Sequence, residues 1–133
     1  MTFVFRQSWL FGPRRETIRI HGDRIDHAKP GIVARTRTVT VRFEHVAEIV
    51  LDRRMLWSSL SVDTTGGGGF TIHGLRRQHG DIAKRELERG IADLHAAESL
   101  AEALERLGRL KAEGLLTEQE FVAAKGAVFR RAA

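Results

Sequence analysis

The sequence predicts an α+β fold: a seven-stranded antiparallel β-sandwich or barrel capped by one helix, followed by a short helical hairpin. Three observations carry this expectation. Apolar residues alternate with period two as far as about residue 75, the signature of half-buried strands. From Asp81 the period becomes helical, with Ala83, Leu87, Ile91 and Leu94 along one stripe, as one face of a helix requires. Beyond residue 97, "LERLGRLKAEGLLTEQEF" (Leu104 to Phe121) reads as a leucine-striped helix, a glycine stop and a second helix with its own cap.

The strands follow in order. "TFVFRQ" sets Phe3 and Phe5 on one face, and "ETIRIH" does the same with Ile18 and Ile20. A Gly-Asp turn in "HGDRIDH" leads to a short strand around Ile25. "AKPGIVART" reads as a loop because Pro30 and Gly31 punctuate it. "RTVTVRF" alternates most cleanly, with Val39, Val41 and Phe43 facing one way and Thr38, Thr40 and Arg42 the other. "VAEIVLD" (46–52) and "LWSSLSVD" (56–63) follow, the latter with Leu56, Leu60 and Val62 on one face. "FTIHG" resumes after "TTGGGG" with Phe70 and Ile72.

Asp81, after Gly80, is placed to cap the next helix. Its apolar stripe needs a surface, and the open end of the sandwich supplies one. The helix either runs on into the tail or breaks near Ala97-Glu98-Ser99. The domain division that results is 1–97 and 98–133.

In the tail, Leu100, Leu104, Leu107 and Leu110 step along one helix face. Gly114 occupies a C-cap position, and Leu115 can pack back across the end. Thr117 with Glu120 makes a capping box, flanked by Leu116 and Phe121 as a hydrophobic staple. The second helix then presents Phe121, Val122, Val128 and Phe129. About 35 residues rarely sustain a core alone. The expectation is that the hairpin docks on its own β-domain or on another chain, through Leu100, Leu104, Leu107, Leu110, Leu115, Leu116, Phe121, Val128 and Phe129.

Charge and composition bound the function. Residues 1–80 hold 13 Lys and Arg against 7 Asp and Glu, whereas residues 98–133 hold 6 of each. The basic front attracts anionic lipid, nucleic acid or acidic protein without choosing among them. Arg14, Arg15, Arg35, Arg37, Arg53 and Arg54 fall in connections between strands and form the candidate anion-binding set; a solvated basic rim explains them equally. The chain has no cysteine, which excludes disulfides, thiolate nucleophiles and cysteine-based metal sites. No apolar run approaches a membrane span, and the N-terminus is a poor signal peptide, so a cytoplasmic setting is expected.

No catalytic constellation emerges. "TTGGGGF" lacks the Lys-Ser/Thr of a phosphate loop and leads into a strand, so it reads as a hairpin loop. The six histidines form no metal-ligand spacing. Ser58, Ser59 and Ser61 lie in a strand without a glycine elbow. The sequence therefore points to no enzyme, no cofactor, no metal and no small-molecule substrate. Trp57, opposite Leu60 and Val62, is either an exposed contact residue or an edge covered by a loop or by the tail.

Residues 104 to about 130 resemble the SHOCT (short C-terminal) domain of bacterial and phage proteins. The residues that carry the likeness are Leu104, Leu107, Leu110, Lys111, Gly114, Leu115, Thr117, Glu118, Glu120, Phe121, Lys125 and Val128. Gly126, inside the second helix, departs from the pattern, since an interior glycine weakens a helix. Residues 1–97 resemble the bacterial pleckstrin-homology-like domains in layout, with "FEHVAEIVLD" and "FTIHGLRRQHGDIAKRELERGI" in the usual places. The resemblance implies an interaction or oligomerising role for the tail, a homo-oligomer or a protein partner, and an anion site where the strand connections converge. It implies no enzymatic activity.

Overall fold

The computed structural model describes residues 1–31 and 35–132. Seven strands come first: β1 Phe3–Arg6, β2 Thr17–Ile20, β3 Arg24–Pro30, β4 Thr36–Arg42, β5 Val46–Arg53, β6 Trp57–Thr64 and β7 Gly69–Arg76. Two helices follow, α1 Arg77–Ala112 and α2 Glu118–Ala132. β1 to β4 form one antiparallel sheet in chain order, and β5 to β7 form a second. The fold is α+β. The described strands form two separate ladders and do not close into a barrel. No helix among the described residues is long and apolar enough to cross a membrane.

Contacts group the chain into two compact units, Met1–Ile91 and Ala92–Ala133, with α1 contributing to both. In the first unit the alternation read from the sequence becomes the core. Ile18, Ile20, Ile25 and Val41 come inward from one sheet, and Leu60, Val62, Phe70, Ile72 and Leu75 from the second strand group. Ala83 and Leu87 of α1 are fully buried, so the helix covers apolar surface through the predicted stripe. The sheets meet where His27 of β3 stacks on Phe70 of β7, ring centroids 4.6 Å apart.

Several expectations are corrected. β3 continues through Ala28 and Lys29 to Pro30, pairing with β4, so the front of the predicted loop is strand. Proline is tolerated there because it ends the ladder and removes no interior hydrogen bond. The middle of that loop, Ile32, Val33 and Ala34, lies outside the described residues. Phe43 leaves the strand and opens a 3-10 turn, Phe43–His45, yet its ring is buried. Leu56 does not join the inner face of β6. The β5–β6 turn closes through the Arg54 N–H donating to the Trp57 carbonyl, which leaves Leu56 at the corner and Ser58 inward.

Asp81 does not cap α1. The chain passes directly from β7 into the helix at Arg77, where the Arg77 N–H donates to the Leu56 carbonyl at 3.3 Å. Asp81 lies in the second turn and instead receives Arg53 Nε at 2.8 Å. The helix approaches the sheets closely because two of its glycines lack side chains. A Cβ at Gly80 would strike Ser58 Oγ, and one at Gly90 would strike the Phe43 ring. There is no break near Ala97; α1 runs uninterrupted to Ala112.

In the second unit the Gly114 C-cap and the Thr117 half of the predicted capping box are present. Gly114 has φ +77, its N–H donates to Lys111 O at 3.0 Å, and Leu115 N–H donates to Leu110 O at 2.9 Å. That pair of bonds is the Schellman motif, which satisfies the last carbonyls of a helix. Thr117 Oγ1 accepts from the Glu120 N–H at 3.2 Å and caps α2.

Candidate functional site

Five of the exposed apolar residues of the first unit, Trp9, Leu10, Phe11, Met55 and Leu56, lie in two connections that meet. The β1–β2 connection folds into a 3-10 turn, Trp9–Phe11, capped by Ser8 Oγ accepting from Leu10 N–H. The Ser8 N–H donates to Gly74 O, which ties the turn to β7. Phe11 then lies over Gly74 (φ +71), in the space that any Cβ would occupy. Its ring meets Trp57 edge-on at 5.6 Å. The β1–β2 connection and the β5–β6 turn therefore form one tip. Trp9 and Leu10 on one side, and Met55 and Leu56 on the other, are 70%, 60%, 91% and 71% exposed. Trp57 itself is half-buried, packed on one edge against Phe11 and lining an open groove on the other.

The arginines are distributed around this tip and beyond it. Arg14 and Arg15 are exposed in the β1–β2 connection, and Arg15 Nε donates to the Gln7 carbonyl at 2.7 Å. Arg54 sits at the β5–β6 turn with Nε 3.9 Å from Asp52. Arg53, beside it in sequence, points to Asp81 of α1. Arg35 and Arg37 belong elsewhere, at the start of β4, where Arg37 is the cross-strand partner of Lys29. Arg15, Arg53 and Arg54 are each engaged with a group of the protein itself.

Between the tip and the outer face of β5–β7 runs an open groove of about 870 Å³. Phe11, Trp57 and Val50 give it an apolar wall, while Gln7, Asp52, Arg54, Ser59 and His73 give it polar groups. Ser59 Oγ and His73 Nδ1 share a hydrogen bond at 2.9 Å, and Ser61 Oγ and Thr71 Oγ1 share another at 2.9 Å. A serine beside a histidine raises the question of a nucleophile. Asp52, the strand neighbour of Ser59, lies near Arg54 and has no bond to His73. Ser59 also sits in mid-strand without the turn that presents a nucleophile. The two bonds are rungs between β6 and β7, of the kind that stabilise a sheet face. Sequence reasoning missed the Ser59–His73 pair because the partners are far apart in the chain. The signal was alternation, which puts both on the outward face.

His73 and His79 do not meet. His73 holds Ser59, whereas His79 lies against the Phe5 ring at 5.6 Å. No group of three potential metal ligands exists among the described residues. His27 Nε2 shares a part-buried hydrogen bond with Glu16 Oε2 at 2.9 Å, and Lys29 Nζ reaches the other oxygen at 3.6 Å.

The hairpin is the second surface. Leu100, Leu104, Leu107, Leu110, Leu116, Phe121 and Val128 are half-buried, and Leu115 and Phe129 are exposed. Lys111 ties the two helices, with Nζ 2.5 Å from Glu118 Oε2 and 4.7 Å from the centre of the Phe121 ring. The first contact is a charge-assisted bond and the second a cation–π contact. None of the described residues of Ala92–Ala133 is fully buried. No protein-family model matches the chain, and no curated protein matches it either.

Proposed function

We propose that the chain is a non-enzymatic binding module that assembles, with itself or with a protein partner, through its C-terminal helical hairpin. One observation carries this reading: the second unit has well-formed caps and an apolar face, yet not one buried side chain among its described residues. Helices of this length draw their stability from tertiary burial, so such a unit calls for a further surface. The layout of seven strands in two sheets and a following helix suits the pleckstrin-like group. The Gly114 and Thr117 caps suit a SHOCT hairpin.

Light scattering on the full chain and on a chain ending at residue 97 tests it. Among the described residues, every buried one lies at or before Leu87, so the shortened chain keeps its core. The full chain is expected at a multiple of its 14.9 kDa mass or bound to a partner, and the shortened chain at its own. Equal association states for the two would sink the proposal.

A second reading has its own observation, the tip where Trp9, Leu10, Met55 and Leu56 stand exposed beside Arg14 and Arg54. Apolar side chains among cations suit the interface of an anionic membrane. Arg54→Ser is expected to weaken sedimentation with phosphatidylserine vesicles about fivefold, at roughly 1 kcal/mol per basic residue. Met55→Ser with Leu56→Ser should weaken it by tenfold or more, since burying one Leu-sized side chain is worth ~1.5–3 kcal/mol. Wild type that stays in the supernatant at low salt removes this reading.

A further inference from the structure

Among the described residues, nothing around Gly126 requires a glycine. It lies inside α2, where glycine costs about 1 kcal/mol against alanine. A Cβ there would meet only the mobile end of Arg130, at 3.4 Å. Its helical neighbours on the same side, Val122 four residues before and Phe129 three after, are 59% and 47% exposed. These steps place all three residues on one stripe. Gly126 is half-buried beside the Arg130 side chain, and the stripe is rotated away from the side of Phe121, Ala124 and Val128. A notch between two exposed apolar residues is the form of a close helix–helix crossing.

We propose that a second copy of the chain fills this notch, with α2 crossing its counterpart antiparallel and Val122 of each copy seated against Gly126 of the other. This specifies the surface and the geometry of the self-association proposed above and rests on that reading. Charge decides the direction. Beside this stripe α2 carries Glu118 in its first turn, which also receives Lys111, and Arg130 in its last, an order that already suits the helix dipole. In a parallel pair, acid would face acid and base would face base. In an antiparallel pair, the acidic start of each helix faces the basic end of the other, and the twofold axis makes the match twice.

The chain has no cysteine, so cysteines introduced singly into the full chain report contacts directly. Gln119→Cys and Arg130→Cys lie on the same flank of α2. With Val122 against Gly126, residue 119 of one copy comes level with residue 130 of the other. Under oxidation, a mixture of the two variants is expected to give the 119–130 heterodimer in excess, with little 119–119 or 130–130 product. Homotypic disulfides in excess would overturn the antiparallel crossing. Gly126→Leu supplies the second test. It should raise helix content by circular dichroism, since leucine favours helix over glycine, while weakening association at least about tenfold in light scattering. Raised helicity with unchanged association would overturn the role of the notch while leaving assembly through the hairpin intact. A monomeric wild type would overturn both.

Discussion

Phe43→Ala is expected to lower the unfolding free energy by about 3–5 kcal/mol, the range for truncating a buried phenylalanine. Phe43 is only 2% exposed, and its ring fills the space that Gly90 leaves open on α1. Two elements depend on the same ring, the 3-10 turn that presents it and the helix that crosses it. The loss should therefore include a cavity term as well as lost transfer energy, because a helix already seated at Gly80 has little freedom to close the gap. Urea unfolding followed by tryptophan fluorescence measures this. A cost below about 1 kcal/mol, the level of a surface change, would mean that the ring does not set the position of the helix.

Gly69→Ala should rank beside it, while Gly66→Ala in the same run should be nearly silent. Gly69 opens β7 with φ +127, and a Cβ there would fall on the main-chain carbonyl of Val62. The backbone conformation alone costs a side chain about 1–3 kcal/mol, and displacing the neighbouring strand adds roughly 1–3 kcal/mol more. Gly66 has nothing within 4 Å of such a Cβ. Thermal unfolding of the two variants side by side gives the comparison, and equal midpoints would refute it.

That contrast shows where the sequence was legible. "TTGGGG" announced a hairpin turn, but composition does not distinguish a glycine that packs from one that merely fills. Strand alternation was readable because period two is a local property. Thus Ile18, Ile20, Leu60, Val62 and Ile72 fell inward as expected. The caps at Gly114 and Thr117 were readable for the same reason, since each is satisfied within a few residues. The helix start was misplaced because the competing signal was tertiary: Asp81 looks like a cap locally, yet Arg53 of a distant strand claims its carboxylate. Leu56 was misplaced because a tight turn consumed the residue that alternation assigned to the strand.

The candidate surfaces divide in the same way. The leucines of the hairpin were visible as a stripe. The tip was not, because Trp9–Phe11 and Met55–Leu56 become one surface only through the contact of Phe11 with Trp57. The arginines were found by type and connection, but only the structure places Arg14 and Arg54 beside the exposed apolar residues and Arg35 and Arg37 at the start of β4.

The seat of Phe11 over Gly74 has a thermodynamic consequence. Because Gly74 has no side chain, the aromatic ring drops onto the backbone of β7 and the Trp9–Phe11 turn is already ordered before anything binds. Were a partner to bind at this end, as the second reading proposes, the packed turn would lower the conformational entropy lost in ordering it. Association there should be governed by encounter, with the arginines setting its dependence on salt. Its heat-capacity change should reflect buried apolar area alone, without the larger signature of a segment that folds as it binds.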